Sequence, residues 1–151
     1  MLRLRFLNSR EVRGIASIVE RQWGARLPDS AFLINSRNKL HLISRDVGRL
    51  DLQNLRVNSA GLYFGELKDE AIRLSIEGSQ LLGPSASKNV VEISGEEMRQ
   101  WLRGEDLMKD CPGCSGFVIL RRNSDYLGCG RYANGRIKNF VPKTRRVKSS
   151  A

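Results

Sequence analysis

The feature that most constrains the fold of this chain is a break near its middle, Gly83-Pro84-Ser85-Ala86-Ser87-Lys88-Asn89, which carries neither a strand nor a helix period of apolar residues. Apolar periodicity is present on both sides of it. The run therefore reads as a linker, and it divides the 151 residues into a piece of residues 1–85 and a piece of residues 86–151. With 40% hydrophobic residues, each piece can pack one small core of its own.

Within the first piece, Met1 to Leu7 alternates with period two and lacks a continuous apolar run, so it reads as a strand and not as a signal peptide. From Ser9 to Trp23 the apolar residues Val12, Ile15, Ala16, Val19 and Trp23 fall on one helix face, and Gly24 stops it. Two β-pairs follow. Ala31 to Asn35 and Leu40 to Ser44 flank the turn Ser36-Arg37-Asn38, while Leu62 to Gly65 and Ala71 to Leu74 flank Lys68-Asp69-Glu70. Ile76 to Leu82 is expected to add a closing helical turn, which makes this part mixed α/β.

The second piece opens with a strand, Val90 to Ile93. Ser94 and Glu97 then make a Ser-x-x-Glu capping box, in which hydroxyl and carboxylate each satisfy an orphan backbone N–H. The short helix it starts buries Met98, Trp101 and Leu102 and stops at Gly104. The remainder is β: Gly116 to Arg122, Tyr126 to Ala133 and Arg136 to Val141, joined by Asn123-Ser124-Asp125 and by the strong hairpin signal Asn134-Gly135, with Arg145-Arg146-Val147 as a last strand. One short helix among about five short strands predicts a small, closed or partly closed barrel. The whole is an α+β chain.

Charge points to a polyanion. There are 26 Lys and Arg against 16 Asp and Glu, a net +10, and each phosphate that a basic side chain neutralises releases a counterion. The excess is greater in the second piece, with 13 basic and 7 acidic residues, than in the first, with 13 and 9. From Tyr126 onward no acidic residue occurs, while Arg131, Arg136, Lys138, Lys143, Arg145, Arg146 and Lys148 are interleaved with the strand formers Tyr132, Ile137, Phe140 and Val141. That interleaving places the charges on an ordered face and not on a solubilising tail. Neither a basic amphipathic helix nor an apolar run long enough to span a bilayer is present, so a membrane partner is not expected.

Gly116-Phe117-Val118-Ile119, Leu127-Gly128-Cys129-Gly130 and Ile137-Lys138-Asn139-Phe140-Val141-Pro142-Lys143 with Arg145-Arg146 resemble the PUA domain, named after pseudouridine synthases and archaeosine transglycosylases. The arrangement is most similar to the PUA-like C-terminal region of Nop/Sun-type RNA cytosine methyltransferases and to archaeal and eukaryotic ribosome-biogenesis proteins of pre-PUA plus PUA architecture. Upstream, Gly61 to Glu66 and Arg73 to Gln80 resemble their pre-PUA segment. The resemblance implies a pre-PUA α/β domain over 1–85 and an RNA-binding PUA pseudobarrel with a short helix over 86–151. It further implies structured RNA, rRNA or tRNA, as the partner, with an RNA-modifying enzyme or ribosome-assembly factor beside it and no DNA. Arg103, Arg131, Arg136, Lys138, Lys143, Arg145 and Arg146 are the candidate RNA contacts. Gly128 and Gly130 suit either a close backbone approach to phosphate or the bends of a small barrel.

Catalysis is not expected. Neither a glycine turn in a nucleotide-binding βαβ unit nor a Walker lysine loop occurs, and Asp69-Glu70 and Glu96-Glu97 are explained by a turn and a helix start. Cys111-Pro112-Gly113-Cys114 is half of a tetrahedral metal site at most, with Cys129 as a third thiol and His41 as the remaining soft ligand. No cofactor or metal is expected, and the thiols are read as packed side chains. The expected function is a cytoplasmic, non-catalytic RNA-binding protein of rRNA or tRNA maturation, alone or targeting a modification enzyme. The alternative is a protein-interaction adaptor of the RNA-processing machinery with only weak RNA affinity.

Overall fold

The computed structural model describes residues 3–43 and 61–148. Among the described residues, ten strands form two five-stranded sheets with three α-helices among them, an α+β architecture. Met1 and Leu2 of the expected first strand, and Ser44 at the end of the third, lie outside the described residues.

The first sheet is an antiparallel meander, β1 (Leu4–Phe6), β2 (Ala31–Asn35), β3 (Lys39–Ile43), β4 (Leu62–Lys68) and β5 (Ala71–Leu74), in sequence order. The β2–β3 turn closes on Asn35, whose Oδ1 accepts the backbone N–H groups of Arg37 (2.8 Å) and Lys39 (3.0 Å). Helix α1 (Ser9–Trp23) packs Ile15, Val19 and Trp23 onto this sheet. It is capped at both ends. Asn8 and Glu11 form a capping box, and Gly24 takes the left-handed conformation at φ 60°.

The second sheet runs in the order β6 (Val90–Glu92), β8 (Gly116–Arg122), β9 (Asp125–Ala133), β10 (Arg136–Asn139), β7 (Leu107–Met108), with β6 parallel to β8. Asn134 and Gly135 both have positive φ, 50° and 76°, as a type I′ hairpin turn requires. The sheet curls around helix α3 (Gly95–Leu102). Trp101 is fully buried against Val118, Leu120 and Ile137, and its Nε1 donates to Leu127 O at 3.0 Å. Truncating such a ring costs roughly 3–5 kcal/mol.

Strand alternation gives this sheet two buried faces. Val118 and Leu120 point to Trp101, whereas Ile119 and Cys129 join the core of the first sheet with Phe64, Leu74 and Leu82. Helix α2 (Ile76–Leu82) packs between β4 of one sheet and β9 of the other. The two sheets thus share a core.

Three of the elements expected from the sequence differ in the structure. The break read as a linker is built in: Gly83–Ser85 is a 3-10 turn continuing α2, Ser87 and Lys88 donate to Trp23 O, and Asn89 donates to Gln22 O at 2.6 Å. Asn89 also accepts from Ser115 through its side chain and from Ile119 through its carbonyl, tying α1 to β8. The strand expected at Arg145 to Val147 is instead a 3-10 turn, Lys143–Arg145, because Pro142 O accepts the Arg145 N–H and Val147 N–H turns inward to Leu102 O. Strand β10 ends at Asn139 and not at Val141. Asn139 folds its side chain back to accept from Val141 N and to donate to Trp101 O and Glu105 O, which ends the ladder.

Candidate nucleic-acid interface

Beyond the shared core, the outer face of β8, β9 and β10 emerges into solvent. Pairing sets Phe117 opposite Arg131 and Arg131 opposite Lys138, so all three lie on that face. The Arg131 guanidinium stands 6.0 Å from the Phe117 ring, and Lys138 Nζ stands 5.6 Å from the ring of Phe140 just past the strand end. The two rings are 6.2 Å apart. Arg73, from β5 of the other sheet, lies 4.6 Å over Phe140. Each such contact is worth about 0.5–1 kcal/mol at an exposed site. Arg131, Lys138 and Lys143 are exposed, and among the described residues no carboxylate lies within salt-bridge distance of them.

The other four candidates are committed. Arg136 shares the strand face but donates to Asp106 Oδ2, at 2.8 Å from Nε. The Asp106 carboxyl is held below its ordinary value by the Asn139 N–H it accepts and then by Arg136. Arg103, at the end of α3, pairs with Glu105 at 2.6 Å. Arg145 pairs with Glu77 of α2. Arg146 donates from Nε to Val141 O at 3.1 Å and lies across Gly104, where φ is 91° and an added Cβ would meet Nε at 2.2 Å.

The sequence reading missed the partners from the first half of the chain. A cleft of about 230 Å³ opens between the sheets, with Lys39, Tyr63, Arg73, Phe140 and Arg145 in its walls. Lys39 Nζ lies 5.6 Å from the Tyr63 ring, whose hydroxyl is pushed above its usual range by burial. The alternation of aromatic and basic residues in 117–140 was a usable signal for Phe117 and Phe140. Nothing local marks Arg73, because only the meeting of β5 with the end of β10 brings it there.

The structure separates the three thiols weighed as metal donors. Cys111 and Cys114 pack with Trp101 on one side of the second sheet, and Cys129 sits in the shared core on the other. Burial pushes the Cys129 thiol up to about 12. Among the described residues no three His, Cys, Asp or Glu side chains form a group that could hold a metal ion. His41 lies beside Tyr63, 5.5 Å between ring centroids, with its pKa lowered by burial and by Lys39. Gly130 is a packing glycine: a Cβ there would stand 2.6 Å from Ile137 and 2.7 Å from Trp101. No helix among the described residues is long and apolar enough to cross a membrane.

Comparison with known proteins bears on this arrangement directly. Residues 88–147 match the family described as the methyltransferase RsmF PUA domain. The ribosomal RNA small subunit methyltransferase F of Vibrio cholerae is 26% identical over 129 residues, covering 85% of this chain and 27% of that protein. Its namesake in Aeromonas salmonicida is 26% identical over 139 residues, 91% of this chain and 28% of that protein. The Aeromonas hydrophila protein is 32% identical over 89 residues, 59% and 19% respectively. The chain therefore spans about a quarter of the length of these curated relatives. They are bacterial, so the expected likeness to archaeal ribosome-biogenesis proteins has no support among them. Residues 88–147, which hold the second sheet with its helix, are thus similar to the RsmF PUA domain, in keeping with the PUA-type pseudobarrel that the sequence motifs resemble.

Proposed function

We propose that this chain is a non-catalytic RNA-binding protein of rRNA maturation, acting alone or as the targeting part of an RNA-modifying enzyme, and that it holds structured small-subunit rRNA on the outer face of β8 to β10. The observation that carries this reading is the set of cations without carboxylate partners among the described residues, Arg131 and Lys138 on the strands and Lys143 beyond them, on a domain similar to the RsmF PUA domain. An unpaired guanidinium or ammonium is free to displace counterions from phosphate, whereas one already neutralised by a carboxylate gains little by doing so. Arg136, Arg103, Arg145 and Arg146 have secondary roles here, positioning loops and strand ends. The sharing of a core between the sheets supports the view that residues 1–85 act as a brace for the PUA domain and present Arg73 beside it.

The test is titration of a small-subunit rRNA stem-loop at two salt concentrations with wild type and with an Arg131→Ala, Lys138→Ala, Lys143→Ala variant. The wild type should bind less tightly at high salt. The variant should lose affinity and flatten the salt dependence by about 0.7–0.9 for each phosphate contact removed. Because phosphate contacts carry no sequence information, the loss should be similar across stem-loops of one shape. Equal affinities with equal slopes would take this face out of the RNA site.

A further inference from the structure

Phe140 is placed oddly for an apolar ring. It is half-buried, it is absent from both apolar cores, and its neighbours are Arg73 at 4.6 Å, Lys138 at 5.6 Å and the tilted Phe117 ring at 6.2 Å. It forms one wall of the cleft between the sheets. Tyr63, with Lys39 over it, lines the same cleft. Two rings bordered by cations therefore face one opening. Double-helical RNA offers its phosphates and 2′-hydroxyls on the outside but hides the faces of its bases, so a ring in a cleft gains nothing from a duplex. An unpaired nucleotide supplies what the cleft lacks: a flat π-face for the rings and a phosphate for the cations beside them.

We propose that the cleft between the two sheets is a site for an unpaired nucleotide, with the base stacked on the Phe140 and Tyr63 side and its phosphate met by Lys39, beside the Arg73 guanidinium that Glu66 holds in place at 3.4 Å. The site rests on the reading of this chain as RNA-binding, and it adds a substrate class: RNA with a single-stranded segment next to its stem. The strand-face cations Arg131 and Lys138 then follow the backbone that leaves the cleft. Stacking tolerates any base, and a purine is preferred for its larger face.

The experiment uses the full chain and a short oligoadenylate carrying one 2-aminopurine, whose emission falls when it stacks on an aromatic ring. Wild type should quench it and should bind the oligoadenylate more tightly than a blunt RNA duplex of the same length. Phe140→Leu should weaken the oligoadenylate by about 5- to 150-fold, the range for removing one stacked base, and abolish the quenching. Phe140→Tyr, which keeps the ring, should retain both. Should Phe140→Leu fail to fold, the quenching by wild type still decides: unquenched emission at saturation overturns the site. Wild-type affinity with a folded Phe140→Leu protein also overturns it and leaves RNA binding intact. Failure of wild type to bind either RNA overturns the site and the RNA-binding reading together.

Discussion

Two basic regions of this molecule look alike in sequence and differ in structure. Arg131 and Lys138 stand on β9 and β10 with aromatic rings and, among the described residues, no carboxylate for company, while Arg145 and Arg146, a few residues on, are fastened to Glu77, to Val141 O and across Gly104. Formal charge is the same in both. The difference is what each charge already has as a partner. Charge on a strand face is displayed by the ladder at no further cost, whereas charge on an irregular segment is used to hold that segment down. The strand face, with Lys143 just beyond it, is thus the binding element, and Arg145 and Arg146 are chiefly a clasp.

The strongest way to break this comparison is to undo the residue where the two regions meet. Asn139 is 8% exposed and donates to Trp101 O (2.8 Å) and Glu105 O (2.9 Å) while accepting from Val141 N (2.7 Å). Asn139→Ala would strand Glu105 O and Val141 N in a nearly dry site, while Trp101 O keeps the Gly104 N–H, costing roughly 2–3 kcal/mol with buried unpaired groups at 1–3 kcal/mol each. Thermal or urea unfolding checks this, and a loss below 1 kcal/mol would mean that the clasp holds itself. The next largest effect is on RNA. Arg145→Ala with Arg146→Ala should leave the salt slope within about one phosphate contact of wild type, whereas Arg131→Ala with Lys138→Ala should lower it by about 1.4–1.8. Equal slopes for the two double variants would erase the distinction.

Much of this architecture was legible in the sequence because it is written in short-range signals. The α1 stripe, the Ser94–Glu97 box and the Asn134-Gly135 turn each depend on residues a few positions apart. What stayed hidden depends on long-range meetings. Gly83 to Asn89 has the composition of a linker, yet backbone groups and the Asn89 side chain, not an apolar period, dock it on α1 and β8. Strand β7 is only Leu107–Met108 and exists because β10 offers it an edge. The candidate cations were legible as a set, but carboxylates distant in sequence, Glu77 and Asp106 among them, decide which are free. Arg73 was invisible for the same reason.

Acid should loosen the strand face at one defined point. Asp106 has its pKa lowered by the Asn139 N–H and by Arg136, with burial opposing them. A carboxyl depressed in the folded state contributes stability that is complete above its unfolded value, near 3.8, and is lost as pH falls through the folded one. Asp106→Asn should therefore lower stability at neutral pH and flatten the stability profile below about pH 4. An unchanged acid limb would show that this carboxylate does not hold the β10 edge.

The smallest effect is the most discriminating, because it converts a clasp charge into a binding charge. Glu77 and Arg145 are 31% and 46% exposed at their side chains, so their pairing is worth no more than about 0.5 kcal/mol. Glu77→Gln keeps the shape, removes the carboxylate at the cleft and leaves Arg145 free beside Phe140 and Arg73. Stability should hardly move. RNA affinity should instead rise by about two- to threefold at low salt, the equivalent of about 0.5 kcal/mol, and the salt dependence should steepen by less than one contact. The gain should vanish when Arg145→Ala is added, since the freed guanidinium is its source. An affinity gain that survives in the Glu77→Gln, Arg145→Ala protein would trace instead to the lost negative charge alone, and Arg145 would then be a clasp in both backgrounds.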